Sequence, residues 1–210
     1  MATNSLPALL AEIEDLHTYE DAELLLPKVE HEFASLQNMA RGLDVEIVRC
    51  TQTLKVIKNE KQSSILGKLF KSTNKEEAEL SAQLNEYRQK RENLHSSLQC
   101  LQDFLDYTPH SPFEREYILK ELRLRKKALQ EQRREITHVP NGPRLIRVQS
   151  PAIPAGVDPA AYDRRKARYS RETERLPGED ASQALVRQLA QVEQAMNWVE
   201  KFPANEMLPA

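Results

Sequence analysis

The chain has little of what staples or sharply turns a compact fold. Of 210 residues, two are cysteine (Cys50 and Cys100), five are glycine and one is tryptophan, and aromatics make up 6%. Two cysteines form neither a disulfide framework nor a zinc signature. So few glycines argue against a tightly turned sheet, whose hairpins call repeatedly on residues tolerant of positive φ. Long hydrophobic runs are missing as well: no apolar stretch approaches the roughly 20 residues that span a bilayer. The start, Met1-Ala2-Thr3-Asn4-Ser5-Leu6-Pro7, lacks the basic opening and apolar core of a secretory signal. A soluble, cytoplasmic protein is the expectation. There is no Ser-His-Asp order, no phosphate-cradling glycine loop and no HExxH. An enzyme is therefore not expected, nor a cofactor.

What is abundant is charge: 30% of residues are charged against 40% hydrophobic. That mixture suits long helices that bury a narrow stripe and solvate the rest. The net charge of −2 hides an uneven spread. Residues 1–110 carry 12 basic and 18 acidic side chains, and residues 111–180 carry 16 basic and 11 acidic.

Periodicity then supplies an architecture. A helix from Tyr19 to about Lys61, with Pro27 bending it or marking its first turn, places Leu26, Val29, Phe33, Leu36, Ala40, Leu43, Ile47, Cys50, Leu54 and Ile57 at strict 3–4 spacing. A helix from about Asn74 to Asp106 repeats the pattern with Leu80, Leu84, Tyr87, Arg91, Leu94, Leu98, Leu101 and Leu105. In an antiparallel hairpin, facing residues have a constant sum of numbers. A sum of 134 pairs Leu54 with Leu80, Cys50 with Leu84, Ile47 with Tyr87 and Leu36 with Leu98. Its centre falls on Gly67, a residue suited to a reversal. A slip of one heptad would preserve the same matching. Arg91 interrupts the seam opposite Leu43, where its guanidinium is expected to reach Asp44 or Glu46 at the edge.

A short helix precedes the pair, with Leu6, Leu9, Leu10, Ile13 and Leu16 on one face. After the break at Thr108-Pro109-His110-Ser111-Pro112, a fourth helix, Phe113 to Thr137, repeats Leu122, Leu129 and Ile136 every seven residues, with charged Lys126 and Arg133 at alternate seam positions. It is expected to fold back beside the hairpin. Residues 138–180 are rich in proline and arginine and read as a flexible linker, with a transient charged helix over 160–175. A last helix, capped by Asp180 or Ser182, has Leu185, Leu189, Val192, Met196 and Val199 as its stripe. The expected fold is all-α: a long antiparallel coiled-coil hairpin with a third packed helix, a short N-terminal helix, a Pro-rich linker and a C-terminal amphipathic helix. The expected divisions are 1–137, 138–180 and 181–210.

Several constellations carry chemistry in other contexts. Two Glu-x-x-His quartets, Glu14/His17 and Glu92/His95, have the spacing of helical metal sites, but the heptad frame turns Glu92 to solvent and His95 to a flank. No metal is expected. Cys50 belongs to the seam, and Cys100 lies about 24 Å along the helix from it in the 134 register, which excludes a disulfide. Ile65, Leu66, Leu69 and Phe70, with Lys68, form an apolar, basic tip suited to a partner protein or an anionic membrane surface. Leu185, Leu189, Val192, Met196 and Trp198 would let the last helix dock on a partner or on another copy. Arg123, Lys126, Lys127, Arg133, Arg134, Arg164, Arg165, Lys166 and Arg168 are candidates for binding an anion such as a nucleic-acid phosphate, although interleaved acids make solvated helix faces the more economical account. The leading expectation is a non-enzymatic scaffold or adaptor that binds an unidentified protein through the hairpin tip and the last helix. The rivals are a nucleic-acid accessory protein using residues 120–175 and a peripheral membrane protein using the tip.

Overall fold

The computed structural model describes residues 6–63, 71–138, 152–173 and 179–204, without the side chains of 60–63, 71–74 and 136–138. The described residues are all-helical: α1 (Leu6–Glu14), α2 (Tyr19–Ser63), α3 (Lys71–Tyr107), α4 (Pro112–His138), α5 (Pro159–Glu172) and α6 (Ala181–Glu200). The reversal expected at Gly67, and with it Ile65, Leu66, Lys68, Leu69 and Phe70, lies outside the described residues.

The chain divides into two compact units, residues 30–102 and residues 1–29 with 103–210. That division departs from the expected boundaries at 137 and 180. The cause is in the packing of the second half: the expected linker contains a cored helix, and the last helix closes on α4.

In the first unit, α2 and α3 form the expected hairpin. Every seam residue from Phe33 to Ile57 and from Leu80 to Leu101 is buried or half-buried. Cys50, Leu54 and Leu84 make a core cluster, with Ile47, Leu80 and Tyr87 packed against it. These are the partners that a sum of 134 brings together. Arg91 Nε meets Asp44 Oδ1 at 2.9 Å. A slip of one heptad would carry Arg91 to the level of residue 36 or 50, away from that carboxylate. The irregular layer therefore fixes the register, which is a known use of a polar seam residue.

In the second unit, the core combines Tyr107, the α4 side chains Tyr117, Ile118, Leu119, Leu122 and Leu129, the α5 residue Tyr162, and Leu185, Leu189, Val192, Ala195 and Val199 of α6. Helices α4 and α6 pack along each other. The apolar stripe of α4 thus finds α6, where the sequence suggested the hairpin. The charged seam position Lys126 is accounted for by the same pairing: its Nζ lies 2.9 Å from Glu193 Oε1 on α6. Asp180 caps α6 in a full capping box with Gln183, which satisfies backbone donors that the helix itself leaves open. The C-terminal end is pinned by polar contacts. Arg115 Nε donates to the Phe202 carbonyl at 2.8 Å, Tyr19 Oη to the Pro203 carbonyl at 2.5 Å, and Trp198 Nε1 to Thr108 Oγ1 at 3.2 Å.

Burial pushes the Tyr107 phenol up to about 12, against the lowering influence of Arg168 and Arg125. An unfolded tyrosine ionises near pH ~10. The folded state therefore favours the protonated phenol. That contribution is complete below pH ~10, and it is lost as pH climbs from there through about 12. A two-unit difference corresponds to about 3 kcal/mol. Tyr107→Phe is expected to move the alkaline unfolding midpoint upward, followed by helical circular dichroism. An unchanged midpoint would mean that this phenol does not govern the transition.

Candidate interaction surfaces

The basic residues singled out by the sequence separate into two kinds. Asp158 caps α5 by accepting from the backbone N–H groups of Ala160 and Ala161, with Pro159 in the first turn. The helix so begun turns Ala161, Tyr162, Arg165 and Arg168 inward. Arg165 is 1% exposed, and its Nε lies 3.3 Å from Glu121 Oε2 while its Nη1 donates to the Asp106 carbonyl at 2.9 Å. Glu121 also accepts from Arg125 Nη2 at 2.6 Å, and the Arg125 guanidinium stacks 4.4 Å from the centre of the Tyr169 ring. Arg168 bridges Asp103 at 2.5 Å and Glu172 at 2.6 Å and covers the Tyr107 ring. Arg164 Nη2 donates to the Leu105 carbonyl at 3.0 Å, and its Nε lies 3.6 Å from Asp106.

Arg125, Arg164, Arg165 and Arg168 thus pair with Glu121, Asp103, Asp106, Asp158 and Glu172 in one network, buried at its centre around Arg125, Arg165, Glu121 and Asp106. A buried ion is tolerated only when paired and hydrogen-bonded. Arg165 and Arg168 are therefore anchors of α5 and are not open to a phosphate, which corrects their reading as anion-binding residues. The same network corrects the linker, at least over 159–172. The inward face of the segment mixes Ala161 and Tyr162 with the charged Arg165 and Arg168, so no continuous apolar stripe marks it. Lys126 and Arg164 are likewise engaged with carboxylates. Arg123, Lys127, Arg133, Arg134 and Lys166 are exposed. Glu114, also buried, accepts from the backbone of His110 at 2.9 Å and of Asp158 at 3.4 Å, and so ties the start of α4 to the start of α5.

The proposed docking stripe of α6 fares as the arginines do. Leu185, Leu189 and Val192 are core residues, and Met196 and Trp198 pack against that core. The stripe is covered from within the chain, so it is not free for a partner or a second copy.

The hairpin carries a different surface. Among the described residues of the hairpin, the exposed large apolar side chains are Met39, Val45, Val48 and Val56, and all four stand on α2. Val45 is 64% exposed, Val48 53% and Val56 54%. In the heptad frame they occupy positions f, b and c, the side of the helix away from the seam. A shallow hollow on the hairpin is lined by Ile47, Arg88, Arg91, Glu92 and His95. Among the described residues no group of three or more His, Cys, Asp or Glu side chains could hold a metal ion, and no helix is long and apolar enough to cross a membrane.

Two sets of residues escaped the reading of the sequence. Three carboxylates of the network, Asp103, Asp106 and Glu121, were visible only as acids set among apolar residues, with Glu121 between Ile118 and Leu122. The α2 valines were visible as apolar residues at heptad positions that solvent usually claims. Comparison with protein-family models, with curated proteins and with solved structures found no match for this chain.

Proposed function

We propose that the chain is a non-enzymatic helical scaffold or adaptor of the cytoplasm, and that the α2–α3 hairpin is its docking element. One observation carries this reading: the distribution of apolar side chains. The heptad stripes of α4 and α6 are covered by each other. Leu24, Phe113, Leu124, Ile153 and Val186 are also exposed outside the hairpin, and on the hairpin α2 keeps Val45, Val48 and Val56 on one face, each more than half exposed beside a fully formed seam. Exposed apolar residues gathered on one helix face and rimmed by polar ones mark an interaction surface. A register-locked pair of long helices also presents such a surface rigidly, which limits the ordering cost of binding. The nucleic-acid reading draws less support, because Arg165 and Arg168 face carboxylates inside the fold.

Photo-crosslinking in the native cell tests the proposal. A photoreactive residue at position 48 of α2 is expected to give discrete adducts with a partner protein. The same residue at position 89 of α3 or position 186 of α6 is expected to give few. Equal yields from all three positions would remove the hairpin from its proposed role.

A further inference from the structure

The outer face of α2 has a charge pattern as well as an apolar one. At about 100° per residue, Val45, Val48 and Val56 fall within about 80° of one another, opposite Leu43, Ile47, Cys50 and Leu54. Gln52 and Arg41 lie among them, and Arg49 and Lys55 line the two margins, all exposed. Between Arg41 and Val56 no carboxylate falls on this arc. Asp44 lies beyond one margin and is taken by Arg91, and Glu46 lies beyond the other, towards the seam and half-buried. Among the described residues, Arg41, Arg49 and Lys55 have no acidic side chain at ion-pair distance.

The order Arg41, Val45, Val48, Gln52, Lys55 runs 4–3–4–3, with Val56 beside its last position, so the face has the spacing of a second seam on the same helix. A seam of that spacing accepts another helix, with the short β-branched side chains as the contact and the long basic ones reaching past it. We infer that the outer face of α2 binds an acidic amphipathic helix of a partner protein, laid along residues 41–56 so that its apolar stripe covers the valines and its flanking Glu or Asp residues meet Arg41, Arg49 and Lys55. A second copy of this chain using the same face would set basic side chains against basic ones. An anionic membrane fits less well: the face holds three valines and none of the aromatic or long aliphatic residues that anchor interfacial helices.

This inference rests on the hairpin being the docking element, and the experiment separates the two. The probe is a synthetic helical peptide with leucine at its seam positions and glutamate at the flanks. Its counterpart has lysine at the flanks, and phosphatidylserine vesicles are the third probe. Binding to the full chain is read by fluorescence anisotropy and by vesicle co-sedimentation. The acidic peptide is expected to bind, and to bind more weakly as salt rises. Val45→Glu with Val48→Glu should weaken it by about tenfold or more, with circular dichroism showing that the exposed substitutions leave the helices intact. Arg41→Glu with Arg49→Glu should transfer preference to the lysine-flanked peptide. Equal binding of both peptides, no binding of either, or binding of the vesicles alone would overturn the inference. Crosslinks from position 48 together with no preference for the acidic peptide would defeat this assignment and leave the scaffold role standing.

Discussion

Arg165→Ala is expected to destabilise the second unit by about 3–5 kcal/mol, the range for removing one partner of a buried ion pair. The loss is large because of what stays behind. Glu121, 2% exposed, keeps only Arg125, and the Asp106 carbonyl loses its guanidinium donor. The damage should be local as well as global. Helix α5 has few apolar anchors, so its amides should exchange with solvent before those of α4 and α6. Replacing the whole triad, Glu121→Leu with Arg125→Met and Arg165→Met, should recover much of the loss, because an apolar group of similar volume removes the desolvation cost along with the attraction. Denaturant unfolding with hydrogen exchange checks both results. If Arg165→Ala shifted stability by no more than an exposed substitution does, α5 would not be held by this network.

The second large effect concerns two neighbours on α6. Leu185 is 5% exposed and Val186 is 49% exposed. Leu185→Ala removes buried methyl groups from the core shared with α4 and should cost about 2–5 kcal/mol. Val186→Ala removes exposed ones and should stay within about 0.5 kcal/mol. Similar losses at both positions would mean that the helix is rotated from the orientation described. A stability loss is also the wrong signature for a docking stripe, whose substitution would weaken binding and leave folding alone.

The difference between what could be read in advance and what could not has a physical basis. The hairpin was legible because its burial is periodic: a narrow apolar seam writes itself into the sequence at 3–4 spacing, and the two seams check each other through their common sum. Arg91 was legible for the same reason, as an exception whose partner had to lie at the seam edge. Helix α5 was hidden because it buries guanidinium groups, and their partners Asp103, Asp106 and Glu121 lie some 40–65 residues away in sequence. Nothing local announces such pairing, so a proline-flanked, arginine-rich segment looks like a tether. The two compact units were hidden because α2 and α3 each contribute to both, and no composition change marks a division inside a helix. The stripe of α6 was found correctly, but a stripe says that something covers it and not what. Here α4 does.

Everything proposed for the hairpin requires α2 and α3 to pair within one chain. In a Cys50→Ala, Cys100→Ser background, Leu36→Cys and Leu98→Cys place two thiols at facing seam positions of the 134 register. Treatment with a short bifunctional crosslinker, followed by denaturing electrophoresis and peptide mapping, reads the pairing directly. The expected result is a crosslinked product at monomer mass, at a yield independent of protein concentration. A crosslink found only between chains, rising with concentration, would replace the hairpin with an intermolecular coil and remove the basis for the docking face.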